Sequence, residues 1–191
     1  MSKITTIGII AEDNSDFDTI KVIINKLTKK NLSYKKNIGY GCGKLKRKCK
    51  EYVNELYKRN CDLVLLFHDL DRNNYEELHN FLSNEMKDCD TDKKFICIPV
   101  EELEAWFLSD VGALKTTFKI KKDFKIKGNP ETIASPKEFL QNLIYKQSNK
   151  KFIFNNVKHN SKIAENIDLS LLKKSCQSYS LLEDFIMMHR F

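Results

Sequence analysis

Two aspartates spaced one residue apart follow an apolar run in the middle of the chain. The run at 63–67 has the composition of a buried strand, and Asp69 and Asp71 stand just beyond it. Because side chains alternate along an extended backbone, residues two apart point to the same side. Two adjacent carboxylates repel each other unless a cation lies between them, and oxygen ligands suit Mg²⁺ or Mn²⁺. The spacing therefore predicts a metal site.

A second acidic group follows the first predicted strand. Glu12 and Asp16 are four residues apart where strand turns into helix, so both could face one cleft. Asp13 and Asn14 are interpreted instead as capping residues of that helix. For Asp71, capping of the next helix is the alternative to metal binding.

A third acidic group lies in the segment 99–108. Glu101 is interpreted as an early helical residue that favours the helix dipole. Glu102 and Glu104 are two residues apart, so they align on an extended segment and diverge on a helix. The residues alone leave these two alternatives open.

The elements that must position these groups alternate between strand and helix. This alternation predicts an α/β fold: a Rossmann-like parallel sheet of about four strands, with helices on both faces and a helical C-terminal extension. In such sheets functional groups gather at the carboxyl ends of the strands. A core at 1–110 and a helical part at 111–191 packed on it are expected. The predicted strands are 4–11, 33–38, 62–68 and 94–100, and the predicted helices are 15–30, 44–60, 73–87, 135–146, 159–166 and 169–187.

Composition limits the classes of function. The chain has 191 residues, 41% of them hydrophobic, and no run long enough to span a membrane. Its six cysteines show no paired spacing, and no signal peptide is seen, so a reducing cytoplasm is expected and zinc is not. The formal charge of +7 favours a polyanionic partner, although an AT-rich genome explains many lysines equally well.

Two basic segments are candidates for nucleic-acid binding. One opens a helix after a Gly-rich turn at 39–43. This turn is not a Walker A loop. The alternative is that the basic residues form a solvated face of the helix. The other interleaves lysines with Phe118 and Phe124, which core packing explains equally well. His68, Trp106 and Phe107 are interpreted as packing residues. The candidate nucleic-acid contacts are Lys44, Lys46, Arg47, Lys48, Lys119, Lys121 and Lys122.

The acidic motifs, in this order, resemble the TOPRIM domain shared by topoisomerases, primases and OLD-type nucleases. The similarity is greatest to small bacterial TOPRIM proteins that are often encoded beside an ATPase and associated with phage defence. Two departures are Asp13 and Asn160, where such proteins usually have Gly; Asn suits a left-handed backbone best after Gly. The resemblance runs through residues 10–16, 68–71, 98–106, 129–137, 157–160 and 167–169.

The resemblance implies a metal-dependent endonuclease acting on DNA or RNA, with an ATPase subunit as partner. It implies that Glu102 and Glu104 complete a second metal position or act as base. Lys137 and Lys158 match family motifs and would stabilise charge on the phosphate. The expected metal ligands are Glu12, Asp16, Asp69, Asp71, Glu102 and Glu104.

Two other functions compete with this hypothesis. One is a non-catalytic nucleic-acid-binding or sensor subunit whose acidic pocket is vestigial. The other is a receiver-like phosphoacceptor domain, which also gathers acids at strand ends. A receiver needs a lone acceptor aspartate and a lysine after its last strand, so the paired aspartates fit it poorly.

Overall fold

Four parallel strands form the centre of the computed structural model, which describes residues 3–191. Their order across the sheet is β2-β1-β3-β4, and every neighbouring pair is parallel. The predicted α/β class, with a Rossmann-like parallel sheet of four strands, is therefore confirmed. The strands are β1 (Thr6–Ala11), β2 (Ser33–Ile38), β3 (Leu63–Phe67) and β4 (Lys94–Cys97).

Eight α-helices are found in residues 3–191, and none of them has both the length and the apolar character needed to cross a membrane. A 3-10 helix at Leu103–Ser109 follows β4, and a short one at Pro130–Thr132 precedes α5. The helices are α1 (Asn14–Thr28), α2 (Cys42–Lys58), α3 (Tyr75–Met86), α4 (Val111–Phe118), α5 (Pro136–Gln147), α6 (Asn156–Asn166), α7 (Leu169–Ser175) and α8 (Gln177–Met187).

Alternation along the strands divides the buried side chains between the two faces of the sheet. On β3, Leu63 and Leu65 belong to the core that contains α1 and the C-terminal helices. Val64 and Leu66 belong to a second core with α2 and α3. Because both faces carry buried apolar residues, β3 has the continuous apolar sequence typical of a central parallel strand.

The helices after residue 110 pack directly on one face of the sheet. One continuous core joins Ile9 of β1, Ile163 of α6 and Leu182 of α8, all three fully buried. Helix α1 lies beside α6, and Lys26 Nζ donates a hydrogen bond to the carbonyl oxygen of Glu165 at 2.9 Å. The C-terminal helices are thus the layer that covers this face.

Two predicted elements differ from the structure, and one helix was not predicted. Strand β4 ends at Cys97 instead of residue 100, because Pro99 has no N–H to donate to the ladder, although its carbonyl oxygen still accepts from Leu70 N–H at 3.1 Å. The helix predicted over 169–187 is wrong: extended backbone at Cys176 (φ −126°, ψ 109°) divides it into α7 and α8. Helix α4 was not predicted. The other boundaries differ by only a few residues.

Candidate metal centre

The turn between β1 and α1 positions the first acidic group. Glu12 follows β1 directly, and Asp13 caps α1. The Oδ1 atom of Asp13 accepts hydrogen bonds from the backbone N–H groups of Ser15 at 2.6 Å and Asp16 at 3.0 Å. The capping interpretation of Asp13 is therefore confirmed. This cap fixes the first turn of α1 and, with it, the position of Asp16.

Asp69 and Asp71 follow β3 as predicted. The Oδ1 atom of Asp69 accepts a hydrogen bond from Leu103 N–H at 3.1 Å. Asp71 (φ 48°) and the residue after it (φ 61°) are left-handed, a conformation that costs free energy outside glycine. The N–H of Asp71 donates to the carbonyl oxygen of Glu101 at 3.1 Å and holds this turn. Helix α3 is capped by Asn74, so capping does not account for Asp71.

Glu102 and Glu104 stand at the start of the 3-10 helix. Glu102 has extended backbone, and its Oε2 accepts a hydrogen bond from the backbone N–H of Lys137, in the first turn of α5, at 2.8 Å. Glu104 is only 4% exposed, and its Oε1 accepts from Nδ2 of Asn160 at 3.1 Å. Each glutamate is thereby fixed by a residue of the C-terminal helices.

These three acidic groups line one cavity of about 320 Å³ at the carboxyl ends of the strands. We call it the acidic cavity. It brings together all six predicted metal ligands and Lys137, together with four residues that sequence reasoning did not assign to the site. The lining residues are Glu12, Asp13, Asp16, Tyr40, Gly41, Asp69, Asp71, Glu102, Glu104, Lys137 and Asn156.

Burial, together with the crowding of carboxylates, raises pKa values in the acidic cavity. Burial, with added repulsion from neighbouring carboxylates, raises the pKa of Glu12 to about 7 and that of Asp16 to about 8. Burial and the same neighbours raise the pKa of Asp69 well above its ordinary range, and burial raises the pKa of Glu104. Lys137 acts in the opposite direction on Glu12 and Glu104. The negative charges of the carboxylates in this cavity are thus only partly offset by positive charge from the chain itself.

Three donors at this site have the arrangement of a metal-binding group. One ligand atom each from Glu12, Cys42 and Asp71 lies within 4.8 Å of the others. The Oε1 atom of Glu12 is buried and has no hydrogen-bond partner in the part of the chain that the structure describes. An orphaned buried carboxylate oxygen beside a second carboxylate and a thiol fits a divalent cation.

Cys42 was not predicted at the site, because its position depends on how β2 ends. The N–H of Gly39 donates to the carbonyl oxygen of Ala11 at 2.9 Å, which extends the β1–β2 pairing past β2. A Cβ at Gly39 would lie 2.6 Å from Cβ of Leu45, so only glycine allows α2 to begin this close to the strand. The sequence signal that could have indicated Cys42 is the Gly-rich turn that follows β2, the strand paired with β1.

Three interpretations of polar residues are wrong. Asn14 does not cap α1; it is the first residue of the helix, and its Oδ1 accepts from Nζ of Lys36 at 2.6 Å. Asn160 does not have a left-handed backbone but lies inside α6. Glu101 is not an early helical residue, because its backbone is left-handed (φ 61°) and the 3-10 helix begins only at Leu103. Lys158 is exposed near the start of α6 and is not among the residues that line the acidic cavity.

The basic residues of α2 are partly engaged within the chain. Nζ of Lys44 lies 5.1 Å from the ring centre of Tyr40, and Nζ of Lys46 lies 4.5 Å from that of Phe81. Lys48 forms an ion pair of 3.0 Å with Glu51. Arg47 is exposed. Lys119, Lys121 and Lys122 line a different cavity, at the opposite end of α5 from Lys137.

The packing interpretations are confirmed. Trp106 and Phe107 are fully buried, and the indole Nε1 of Trp106 donates to Oγ of Ser178 at 2.8 Å. Phe118 is 1% exposed and belongs to the core. His68 is 2% exposed, with Nδ1 2.6 Å from the carbonyl oxygen of Asp69.

Comparison with known proteins gives one result. No curated protein and no solved structure matches the chain significantly. A family model does match over residues 10–186, which include every acidic residue of the cavity described above. The chain therefore belongs to the family described as "Domain of unknown function (DUF4276)".

Proposed function

We propose that this chain is a divalent-metal-dependent endonuclease of TOPRIM type that hydrolyses phosphodiester bonds in DNA or RNA. One observation carries the proposal: seven carboxylates and a single lysine line the acidic cavity. Such an excess of negative charge in a partly buried site calls for a cation. The arrangement at the carboxyl ends of parallel strands is the usual location of a functional site in this fold class.

Mg²⁺ or Mn²⁺ is the proposed metal, held by Glu12, Asp16, Asp69 and Asp71. When bound, the ion would supply a water of lowered pKa and polarise a phosphoryl oxygen. The thiol of Cys42 is a softer donor than a carboxylate, which favours Mn²⁺ over Mg²⁺.

The chain's own residues supply the remaining parts of the reaction. Lys137 lines the cavity and would stabilise negative charge on the phosphate group. Glu102 is partly exposed and fixed by the N–H of Lys137, which suits a general base that exchanges protons with solvent. Glu104 is buried and held in position by Asn160, which suits a metal ligand.

The test is cleavage of plasmid DNA and of RNA with Mg²⁺ or Mn²⁺. The double variant Asp69→Ala/Asp71→Ala is expected to cleave at below about one hundredth of the normal rate, because it removes two ligands. Asp88→Ala/Asp90→Ala is the matched control. These two aspartates have the same spacing, but they precede β4 and so lie at the amino ends of the strands, away from the acidic cavity. Cleavage that survives in the first variant refutes the metal-site assignment.

Calorimetry separates the enzyme from the non-catalytic alternative. A functional site binds Mn²⁺ with a heat that disappears in Asp69→Ala/Asp71→Ala and persists in the control. Negligible binding of both Mg²⁺ and Mn²⁺ would instead support the nucleic-acid-binding or sensor function. The resemblance also implies an ATPase partner, so cleavage should be measured with and without the product of any ATPase gene found beside this one.

A further inference from the structure

A second cavity, of about 350 Å³, lies where the C-terminal ends of α4 and α5 meet. Four of its lining residues are lysines: Lys119, Lys121, Lys122 and Lys151. We call it the lysine cavity. All four side chains are exposed, and no carboxylate lines this cavity in residues 3–191. It is therefore a site of concentrated positive charge that the acidic cavity does not explain.

These lysines are not neutralised within the chain. No ion pair involves any of the four among the described residues, and the nearest acidic residue of the loop, Asp123, is already paired with Lys115. Lysines also accumulate at helix C-termini because they favour the helix dipole. Here, however, backbone N–H groups satisfy terminal carbonyls: Ile120 N–H donates to Lys115 O at 3.0 Å, and Lys150 N–H donates to Tyr145 O at 2.8 Å. The helix ends do not require the lysines.

The two loops that carry the lysines are folded in advance of any ligand. Lys119 (φ 52°), Asn149 (φ 54°) and Lys150 (φ 64°) end their helices with left-handed backbone. Oγ of Ser148 accepts a hydrogen bond from Phe152 N–H at 3.0 Å and closes the second loop. Binding would order only the lysine side chains, because the backbone around them is already fixed.

The floor of the lysine cavity favours phosphate over bases as the ligand. Phe118 and Phe152 pack edge to face with ring centres 6.1 Å apart, and Phe118 is buried in the core. Phe118 is buried, and Phe152 is half-buried against it, so neither ring is an exposed platform for stacking a nucleobase. Ammonium groups without a stacking platform bind the repeated charge of a phosphate backbone.

We propose that the lysine cavity binds the phosphate backbone of the nucleic acid that enters the acidic cavity; this rests on the proposed function. Helix α5 links the two sites, with Lys137 at the acidic cavity and Gln147 at the lysine cavity. Ten residues of helix separate them by about 15 Å. At about 3.4 Å per nucleotide along one strand, this distance corresponds to about four phosphates.

The test measures affinity for a labelled oligothymidylate and a labelled oligouridylate by fluorescence anisotropy. EDTA is present, so that neither metal binding nor cleavage contributes. For single strands the logarithm of affinity falls with the logarithm of salt by about 0.7 per phosphate contact, so Lys121→Gln/Lys122→Gln should reduce this slope by about 1.4. Raising the salt concentration from 50 to 200 mM weakens binding in both proteins. The factor by which it weakens binding should be about sevenfold smaller for the variant than for the unaltered protein.

Lys29→Gln/Lys30→Gln is the matched control, with the same charge change at exposed consecutive lysines. These residues follow α1, at the end of that helix away from the acidic cavity. The proposal is supported if the slope changes in the first variant and stays unchanged in the control, and it is overturned if both variants change equally or neither does. Thermal melting verifies that both variants fold.

The two proposals fail separately. If the slope changes as expected but Mg²⁺ and Mn²⁺ produce no cleavage, the lysine cavity binds nucleic acid and the nuclease proposal fails. If metal-dependent cleavage is found and the slope does not change, only the proposal for the lysine cavity fails. The DNA and RNA arms report which of the two backbones binds more tightly.

Discussion

The side-chain amide of Asn160 donates a hydrogen bond of 3.1 Å to Oε1 of Glu104, and both side chains are buried. This bond joins α6 to the 3-10 helix after β4, so the position of Glu104 in the acidic cavity depends on a helix far along the chain. Burial raises the pKa of Glu104, and this hydrogen bond lowers it in part.

Replacing Asn160 by Ala is expected to lower the free energy of unfolding. The change leaves a buried carboxyl group without its donor, which costs about 1–3 kcal/mol. Urea unfolding in EDTA measures the effect. Asn166→Ala, in the same helix but exposed, is the control and should cost less. Equal losses in the two variants would show that the bond to Glu104 contributes nothing specific.

The thermal stability of the metal-free protein is expected to fall as pH rises. The pKa of Glu12 is about 7 and that of Asp16 about 8, against ordinary values of 4.5 and 3.8. Between these ordinary and raised values the folded state binds more protons than the unfolded state, so stability decreases as pH rises from about 4 to about 8. Melting in EDTA across this range measures the slope.

Two variants identify the groups responsible for that slope. Asp16→Asn should flatten the decrease, because it removes one titrating carboxyl from the cavity. Asp18→Asn, exposed on the same helix, should not. A decrease of the same steepness in both variants would assign the pH dependence to other groups.

Lys137 and Lys158 form a matched pair for testing catalysis. Lys137→Gln is expected to slow metal-dependent cleavage about 100-fold or more, since it removes a positive charge that lines the acidic cavity. Lys158→Gln should leave the rate within about twofold, because the side chain is exposed outside the cavity. Cleavage rates at saturating Mn²⁺ decide between the two, and equal rates would remove Lys137 from the mechanism.

Cys42 is expected to influence which metal binds. Cys42→Ser should weaken Mn²⁺ binding about tenfold and change Mg²⁺ binding little, because sulfur is the softer donor. Calorimetry with each ion gives the ratio of affinities. Cys89→Ser, a half-buried thiol that lies outside the metal-binding group, is the control. An unchanged ratio in Cys42→Ser would exclude the thiol as a ligand.

Much of the acidic cavity could be predicted because the carboxyl ends of parallel strands lie on the same side of the sheet. The apolar run before Asp69, and the turn after β1, identify two strand ends that geometry must bring together. Glu102 and Glu104 could not be assigned from spacing alone, since the segment after β4 is extended at one residue and 3-10 helical at the other. Their assignment to the site came from the resemblance.

The remaining parts of the site depend on tertiary packing that no local pattern encodes. Cys42 reaches Glu12 only because Gly39 lets α2 begin against the end of β2. Lys158 matched a family motif, but rotation about α6 places Asn156 at the cavity instead. The break at Cys176 lacks the Gly or Pro that would have indicated it.

The shared core of β1, α6 and α8 has an evolutionary consequence. Sequences that diverge by exchanging whole domains need a part that keeps its fold when it is transplanted. Here the strands that carry Glu12 and Asp69 would lose the cover of one face, and Glu104 its tether, if the helices were replaced. The two halves of the chain should therefore be inherited together.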